Sequence, residues 1–186
     1  MKKVVLVVLA VMCVSSFAFA GNFGLGLKVG AGENKWNPGP MMTDVEKGYG
    51  FVGVEMLYEF DTLKEYDKIG LKVGAELYQK DKASGGWTDV VTYDIPVTFY
   101  YKRDNGVGAF SYYAGGGFTY INSRVKSIKY TKSKGTGHLM TGIEYRFTKG
   151  FALGADAIYN IHAGLQSGEV SDRTGIRGAL VGRFYF

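Results

Sequence analysis

The last eleven residues constrain the fold more than any other part of the chain. They read Ile176-Arg177-Gly178-Ala179-Leu180-Val181-Gly182-Arg183-Phe184-Tyr185-Phe186. A β-strand sends successive side chains to opposite faces. One face of this segment therefore carries Ile176, Leu180, Phe184 and Phe186, and the other carries two arginines. A strand of that kind belongs between lipid and the polar interior of a barrel.

The same period of two recurs along the chain, with no sustained helical period. With 28 Gly and 14 Tyr, the composition is that of an all-β protein. The alternation predicts eight strands, at 22–31, 49–60, 68–80, 89–102, 108–121, 136–147, 150–162 and 174–186. Residues 103–107 and 148–149 read as tight turns, Asn105-Gly106 being a turn pair, and 61–67 as a slightly longer one. The other connections, 32–48, 81–88, 122–135 and 163–173, are long. Short turns at one end and long loops at the other describe an antiparallel up-and-down transmembrane β-barrel, with the turns and both mature termini in the periplasm.

Parity divides the charges. One face carries the alternating apolar side chains, with no charge among them. The opposite face carries Lys28, Glu55, Glu59, Lys72, Glu76, Asp94, Lys102, Glu144, Arg146, Asp156, Arg177 and Arg183, six basic and six acidic groups. A soluble lipocalin-like barrel has the same period with its apolar face inward. Ring size decides between the two. Phe23, Tyr58, Phe60, Phe99, Tyr101, Phe110, Tyr112, Tyr145, Phe147, Phe151, Phe184 and Phe186 share the apolar face at the turn end. An eight-stranded barrel has no room for so many rings inside; outside they form an interfacial girdle. Ten residues tilted by roughly 40° span ~25 Å, the height of a lipid-facing band.

The N-terminus predicts export. Lys2 and Lys3 precede an apolar run, Val4–Val14, that is too short to span a bilayer. Ala18-Phe19-Ala20 fits a small-x-small cleavage site. Residues 1–20 thus read as a removed Sec signal and 21–186 as one barrel domain. Cys13 follows Met12 where a lipoprotein signal wants a small residue, so it leaves with the signal. The mature chain then has no thiol for disulfides or metal. Of 22 basic and 17 acidic side chains, only Lys2 and Lys3 leave with the leader. The mild basic excess that remains, with no long basic run, does not suggest nucleic acid. No later apolar run approaches ~18 residues, which excludes a transmembrane helix.

The whole of 21–186 resembles the small eight-stranded outer-membrane barrels of the OmpA and OmpX type, in its architecture, its leader and its terminal aromatic. The resemblance implies a monomeric barrel of a Gram-negative-type outer membrane. It also implies that Phe184 and Phe186 form the C-terminal signature read by the barrel-assembly machinery. No peptidoglycan-anchoring domain is expected after the barrel.

The balanced charges predict a lumen filled by a salt-bridge network, since buried charges must be paired, with Glu55, Glu144 and Arg146 among its members. Gly24, Gly26, Gly30, Gly53 and Gly74 on the inner face are expected to leave gaps. A narrow ion pathway therefore stays open as an alternative, while charge in the lumen argues against passage of hydrophobic solutes. A lipid A-modifying enzyme is a further alternative. Tyr159-Asn160-Ile161-His162-Ala163-Gly164-Leu165 is faintly similar to a lipid A deacylase motif of His, one residue, then Ser. Gly164 stands where the Ser nucleophile is needed, Ser167 forms no recognisable dyad, and His138 and His162 read as lumen residues. The expectation is a non-enzymatic protein without cofactor or metal. The soluble carrier is the last alternative. Among the loops, 122–135 holds Arg124, Lys126, Lys129, Lys132 and Lys134 with no acid, a candidate contact for lipopolysaccharide phosphates. Trp36, Pro38, Pro40, Met41 and Met42 mark either a partner surface or packing on the rim. Trp87 reads as an interface anchor.

Overall fold

The computed structural model describes residues 23–36, 45–62, 66–80, 90–125, 130–161 and 175–186. Eight strands follow in chain order: β1 (Phe23–Trp36), β2 (Val45–Asp61), β3 (Asp67–Lys80), β4 (Val90–Arg103), β5 (Phe110–Val125), β6 (Tyr130–Thr148), β7 (Phe151–Ile161) and β8 (Gly175–Tyr185). Each pairs antiparallel with its neighbours. β1 also pairs with β8, from Gly24↔Tyr185 to Gly32↔Arg177, which closes the barrel. Closure removes the sheet edges, as lipid requires, because hydrocarbon offers no partner to an unpaired N–H or C=O.

The exposure pattern fixes inside and outside. On β8, Leu180 is 67% exposed while Ala179 and Val181 on either side are 9% and 1% exposed. Leu27, Val52, Phe99 and Leu139 are likewise exposed, and the charged residues between such positions are buried. The apolar face points outward, so the soluble carrier is ruled out: an exposed apolar belt of this extent belongs in lipid.

Two hairpins run further than the alternation predicts. β1 and β2 stay in register to Trp36↔Val45, and β5 and β6 to Val125↔Tyr130. The long connections expected at 32–48 and 122–135 reduce to 37–44 and 126–129. The physical reason is that ladder hydrogen bonds continue beyond the lipid band, where both faces turn polar and the hydrophobic period fades. At the opposite end β5 begins at Phe110, two residues later than expected. Gly106 and Gly108 adopt φ of 84° and 79°, a left-handed backbone that favours glycine and widens this turn to 104–109. The leader, Pro38, Pro40, Met41, Met42, Trp87, His162, Gly164 and Ser167 lie outside the described residues.

At the turn end the outward rings touch in sequence. Phe110 meets Tyr145 at 5.0 Å between centroids, Tyr145 meets Phe147 at 4.8 Å, Phe147 meets Phe151 at 5.9 Å, and Phe151 meets Phe184 at 5.2 Å. Phe23 departs from the expected girdle. It shares the outward parity but is 6% exposed, with its ring 6.3 Å from that of Phe186. The Phe186 N–H donates to the Phe23 carbonyl at 3.0 Å.

The inner-face glycines are occupied clearances rather than gaps. A Cβ on Gly26 would strike the Glu55 side chain, one on Gly30 the Phe51 ring, and one on Gly53 or Gly74 would crowd Lys28; Gly24 lies under Leu57. The same device seats two tyrosines. Tyr100 lies over Gly70 and Tyr113 over Gly142, each pair being direct cross-strand partners. Large rings thus fit inside a narrow barrel because the opposite position has no side chain.

Gly117 shows how tight the wall is, since an added Cβ would collide with the Val97 carbonyl oxygen of β4, whereas one on Gly178 would meet nothing nearer than 3.9 Å. Gly117→Ala is expected to destabilise the barrel by about 1–3 kcal/mol, and Gly178→Ala to leave it nearly unchanged. Urea unfolding of the two variants, followed by tryptophan fluorescence and by SDS mobility without boiling, checks this.

Candidate functional site in the barrel lumen

The lumen is the only region where described charged side chains are gathered in number, and strand alternation puts them there. Odd residues of β2 and β8 and even residues of β1, β3, β4, β6 and β7 point inward. Their groups form three tiers along the axis.

Nearest the turns, Lys102 reaches Glu59 at 2.8 Å and Glu144 at 2.5 Å, and the Tyr185 hydroxyl donates to Glu144 at 2.8 Å. Arg146 pairs with Asp104 at 3.1 Å and stacks 4.4 Å over the Tyr185 ring. Lys68 approaches Asp104 at 3.4 Å and Glu59 at 3.8 Å. In the middle tier Arg183 binds three carboxylates from three strands: Glu55 at 2.7 Å, Asp156 at 2.8 Å and Glu144 at 3.0 Å. It also donates to the Tyr113 hydroxyl at 2.8 Å, and that hydroxyl donates in turn to Asp156. Lys72 completes the tier, 2.9 Å from Asp156 and 4.9 Å above the Tyr113 ring. Lys28 crosses from Glu55 at 3.5 Å to Glu76 at 2.7 Å. In the third tier Arg177 takes Glu76 and Asp94, both at 2.9 Å, and the Tyr78 hydroxyl at 2.8 Å.

All twelve residues singled out by parity therefore sit in one connected lumen network. Lys68, Asp104, Tyr78, Tyr100, Tyr113 and Tyr185 belong to it as well. The tyrosines have lumen parity, and that parity was the available signal; a reading confined to charges passes over them. His138 is also inside and 1% exposed. Its Nε2 lies 2.8 Å from the Thr98 hydroxyl and its Nδ1 2.8 Å from that of Thr119, so both ring nitrogens are engaged.

A cavity among Leu57, Glu59, Lys72, Tyr100, Lys102, Tyr113, Glu144, Arg183 and Tyr185 offers about 10 Å³ to a water centre, which is roughly one water. Among the described residues no group of His, Cys, Asp or Glu is arranged to hold a metal ion.

Arg124 lies on β5, and Lys132 and Lys134 lie on β6, with Arg124 opposite Thr131, Lys132 opposite Ser123 and Lys134 opposite Ile121. Lys126 and Lys129 lie outside the described residues. Phe184 is half-exposed on the outer wall against Phe151, and Phe186 follows β8 beside Phe23.

A family model described as "Outer membrane protein beta-barrel domain" matches residues 4–184. The chain belongs to this family. It is an outer-membrane β-barrel of the Gram-negative envelope. Among solved structures, this barrel is similar to Neisserial surface protein A, with a TM-score of 0.62, 16% identity, and coverage of 88% of this chain and 97% of that one. It is similar to OprG of Pseudomonas aeruginosa at a TM-score of 0.58 and 11% identity, covering 89% and 96% of the two chains. Ail, the attachment invasion locus protein of Yersinia pestis, aligns at 0.53 and 11% identity, covering 88% and 98%. At these identities the likeness is one of fold. No curated protein matches by sequence.

Removing one hub of the network strands its partners. Arg183→Met leaves Glu55, Glu144 and Asp156 short of a buried counter-charge, at an expected cost of about 3–5 kcal/mol. Glu55→Gln added to it is expected to recover part of that loss, so the two changes are non-additive. Equilibrium urea unfolding of both single variants and the double variant measures the coupling.

Asp104 lies in a turn outside the strands. Burial pushes its carboxyl pKa up, but Lys102, Arg146, the Gly106 N–H at 3.0 Å and Lys68 outweigh burial and hold it below the usual aspartate value. A depressed folded pKa contributes stability above the unfolded value of about 4 and loses it as pH falls. Asp104→Asn is therefore expected to lower stability at neutral pH and to flatten its decline below about pH 4, read from urea midpoints measured across that range.

Proposed function

We propose that this is a sealed, non-enzymatic barrel with a structural, envelope-integrity or surface-interaction role, acting as a monomer. The observation that carries this reading is the unbroken ionic network from Asp104 to Asp94, whose turn-end and middle tiers enclose a cavity with room for about one water. A hydrated ion would have to break several short ion pairs at once to pass, and each guanidinium is fixed by carboxylates on other strands. The network in this reading is structural filling, with Glu144 and Arg183 as its central members.

Two features support the non-enzymatic reading. Both His138 nitrogens are occupied by threonine hydroxyls inside the wall, away from lipid, and Gly164 stands where a deacylase-like serine is needed. Residues 1–20 are the proposed removed leader. Phe184 and Phe186 are the proposed signal for the assembly machinery. Arg124, Lys126, Lys129, Lys132 and Lys134 are the proposed contact for lipopolysaccharide. Ail has been solved in complex with the heparin analogue sucrose octasulfate; an anionic sugar as a surface partner is in keeping with this chain's basic β5–β6 hairpin.

Protein purified from outer membranes is expected to give no discrete current steps in planar bilayers, and lipid A from expressing cells is expected to keep its mass. Steps in the wild type that change size with Glu144→Gln would establish the pore instead, and a mass change dependent on His162 would establish the enzyme.

A further inference from the structure

Arg103 is a cation that the barrel itself does not use. It ends β4 in step with Tyr93, Ile95, Phe99 and Tyr101, on the outward face, and is exposed. Among the described residues it forms no ion pair and no hydrogen bond. Its cross-strand neighbour on β3 is Asp67, but that residue is buried and holds the Tyr101 hydroxyl instead. Its neighbour on β5 is the exposed Tyr112, whose hydroxyl also has no partner among the described residues. Directly opposed positions on adjacent strands bring Cβ atoms to about 4.5–5.5 Å. An unused guanidinium and an unused hydroxyl therefore share one patch of the outer wall.

The height of that patch says what it meets. Phe99 and Tyr101 lie on one side of Arg103 along β4, and Phe110 lies two residues beyond Tyr112 toward the turn; all three rings are exposed. Arg103 thus lies inside the ring belt rather than past it. Such a belt marks the boundary between hydrocarbon and headgroups. There a long cationic side chain lays its stem on apolar surface and turns its charge to the headgroups, whose phosphates offer the two oxygens that a guanidinium takes at once. On the hydrocarbon side, the positions opposite Tyr101 and Phe99 are Ala114 and Gly116, so the two rings stand beside low ground. Leu139 bounds it, with its Cδ2 3.4 Å from where a Cβ on Gly116 would lie.

We propose that Arg103 and Tyr112 form a headgroup site for an anionic phospholipid of the periplasmic leaflet. The phosphate diester accepts from the Arg103 guanidinium and the Tyr112 hydroxyl, and one acyl chain lies over Ala114 between the two β4 rings and Leu139. A headgroup of net negative charge is preferred, because a zwitterionic one brings an ammonium toward the same guanidinium. One lipid is thereby held at one place, on the β4–β5 face.

The test is native mass spectrometry of the barrel, purified from outer membranes into a maltoside detergent and titrated with phosphatidylglycerol or phosphatidylethanolamine of matched chains. The wild type is expected to take up one phosphatidylglycerol first, about tenfold more tightly than phosphatidylethanolamine. Arg103→Gln is expected to remove that preference. Tyr112→Phe is expected to weaken phosphatidylglycerol several-fold, on the order of one hydrogen bond. Lys149→Gln removes another exposed cation at the turn end and is expected to change nothing. Unboiled SDS mobility verifies that each variant is closed. No preference in the wild type overturns the proposal, as does a preference that survives in a closed Arg103→Gln barrel. A preference that Lys149→Gln reduces as much as Arg103→Gln would mark a diffuse attraction of a basic protein for acidic lipid, and overturns the site. So does a first adduct of lipopolysaccharide that needs Arg103 and excludes phosphatidylglycerol, since it would put this end of the barrel in the other leaflet. Should Arg103→Gln fail to close, unchanged phosphatidylglycerol affinity in Tyr112→Phe overturns it.

Discussion

Arg183 sits at the centre of the interior, and much of the barrel follows from what it has to satisfy. Lipid surrounds the wall, so the wall can expose only apolar groups and every polar group must find its partner inside. A guanidinium held by three carboxylates on β2, β6 and β7 ties strands that are not all sequence neighbours. Desolvation penalises each of these charges, and only mutual pairing offsets it. The pairs need short distances, and short distances across the lumen need a narrow barrel. The glycines make that narrowness possible: Gly26 gives way to Glu55, Gly70 to Tyr100 and Gly142 to Tyr113. Ionic filling and the missing side chains are thus two halves of one packing solution.

The faces of the strands were legible in the sequence because side-chain direction has a period of two, and lipid and lumen demand opposite chemistry. Parity alone placed Lys28, Glu76 and Arg177 on one wall of the same cavity. It did not say that Lys28 bridges Glu55 to Glu76, because pairing depends on register and tilt, which alternation does not carry. Lys68 has lumen parity and opens the strand expected at 68–80, but the charges read from that strand begin at Lys72. Asp104 lies beyond β4 in a turn and has no parity to read. The ends of the β1–β2 and β5–β6 hairpins were missed for a different reason: once a strand leaves the lipid both faces become polar, and hydrogen bonding persists where hydrophobic contrast does not.

The inner glycines illustrate the same limit. In a sequence, Gly30 and Gly53 look like empty volume. In the barrel they are the positions into which Phe51, Lys28 and Glu76 project, so a residue without a side chain marks where a neighbour's is largest. Phe23 makes the complementary point. Its parity assigns it to the lipid face, but it lies at the barrel's seam, where the chain's last residue covers it.

Two of the lumen's cations, Arg177 and Arg183, come from β8, the eighth strand of the barrel in chain order. Without them the network retains Lys28, Lys68, Lys72, Lys102 and Arg146 against Glu55, Glu59, Glu76, Asp94, Asp104, Glu144 and Asp156. A sheet of seven strands is therefore an acidic trough, two positive charges short. The eighth strand supplies those two charges, three side-chain positions apart on its inner face. Sliding it along β1 and β7 by two residues, the smallest slip that keeps its faces, would move both guanidinium groups off their carboxylates together. The seam thus has an electrostatic key as well as a hydrogen-bonded edge, and the key fits in one position.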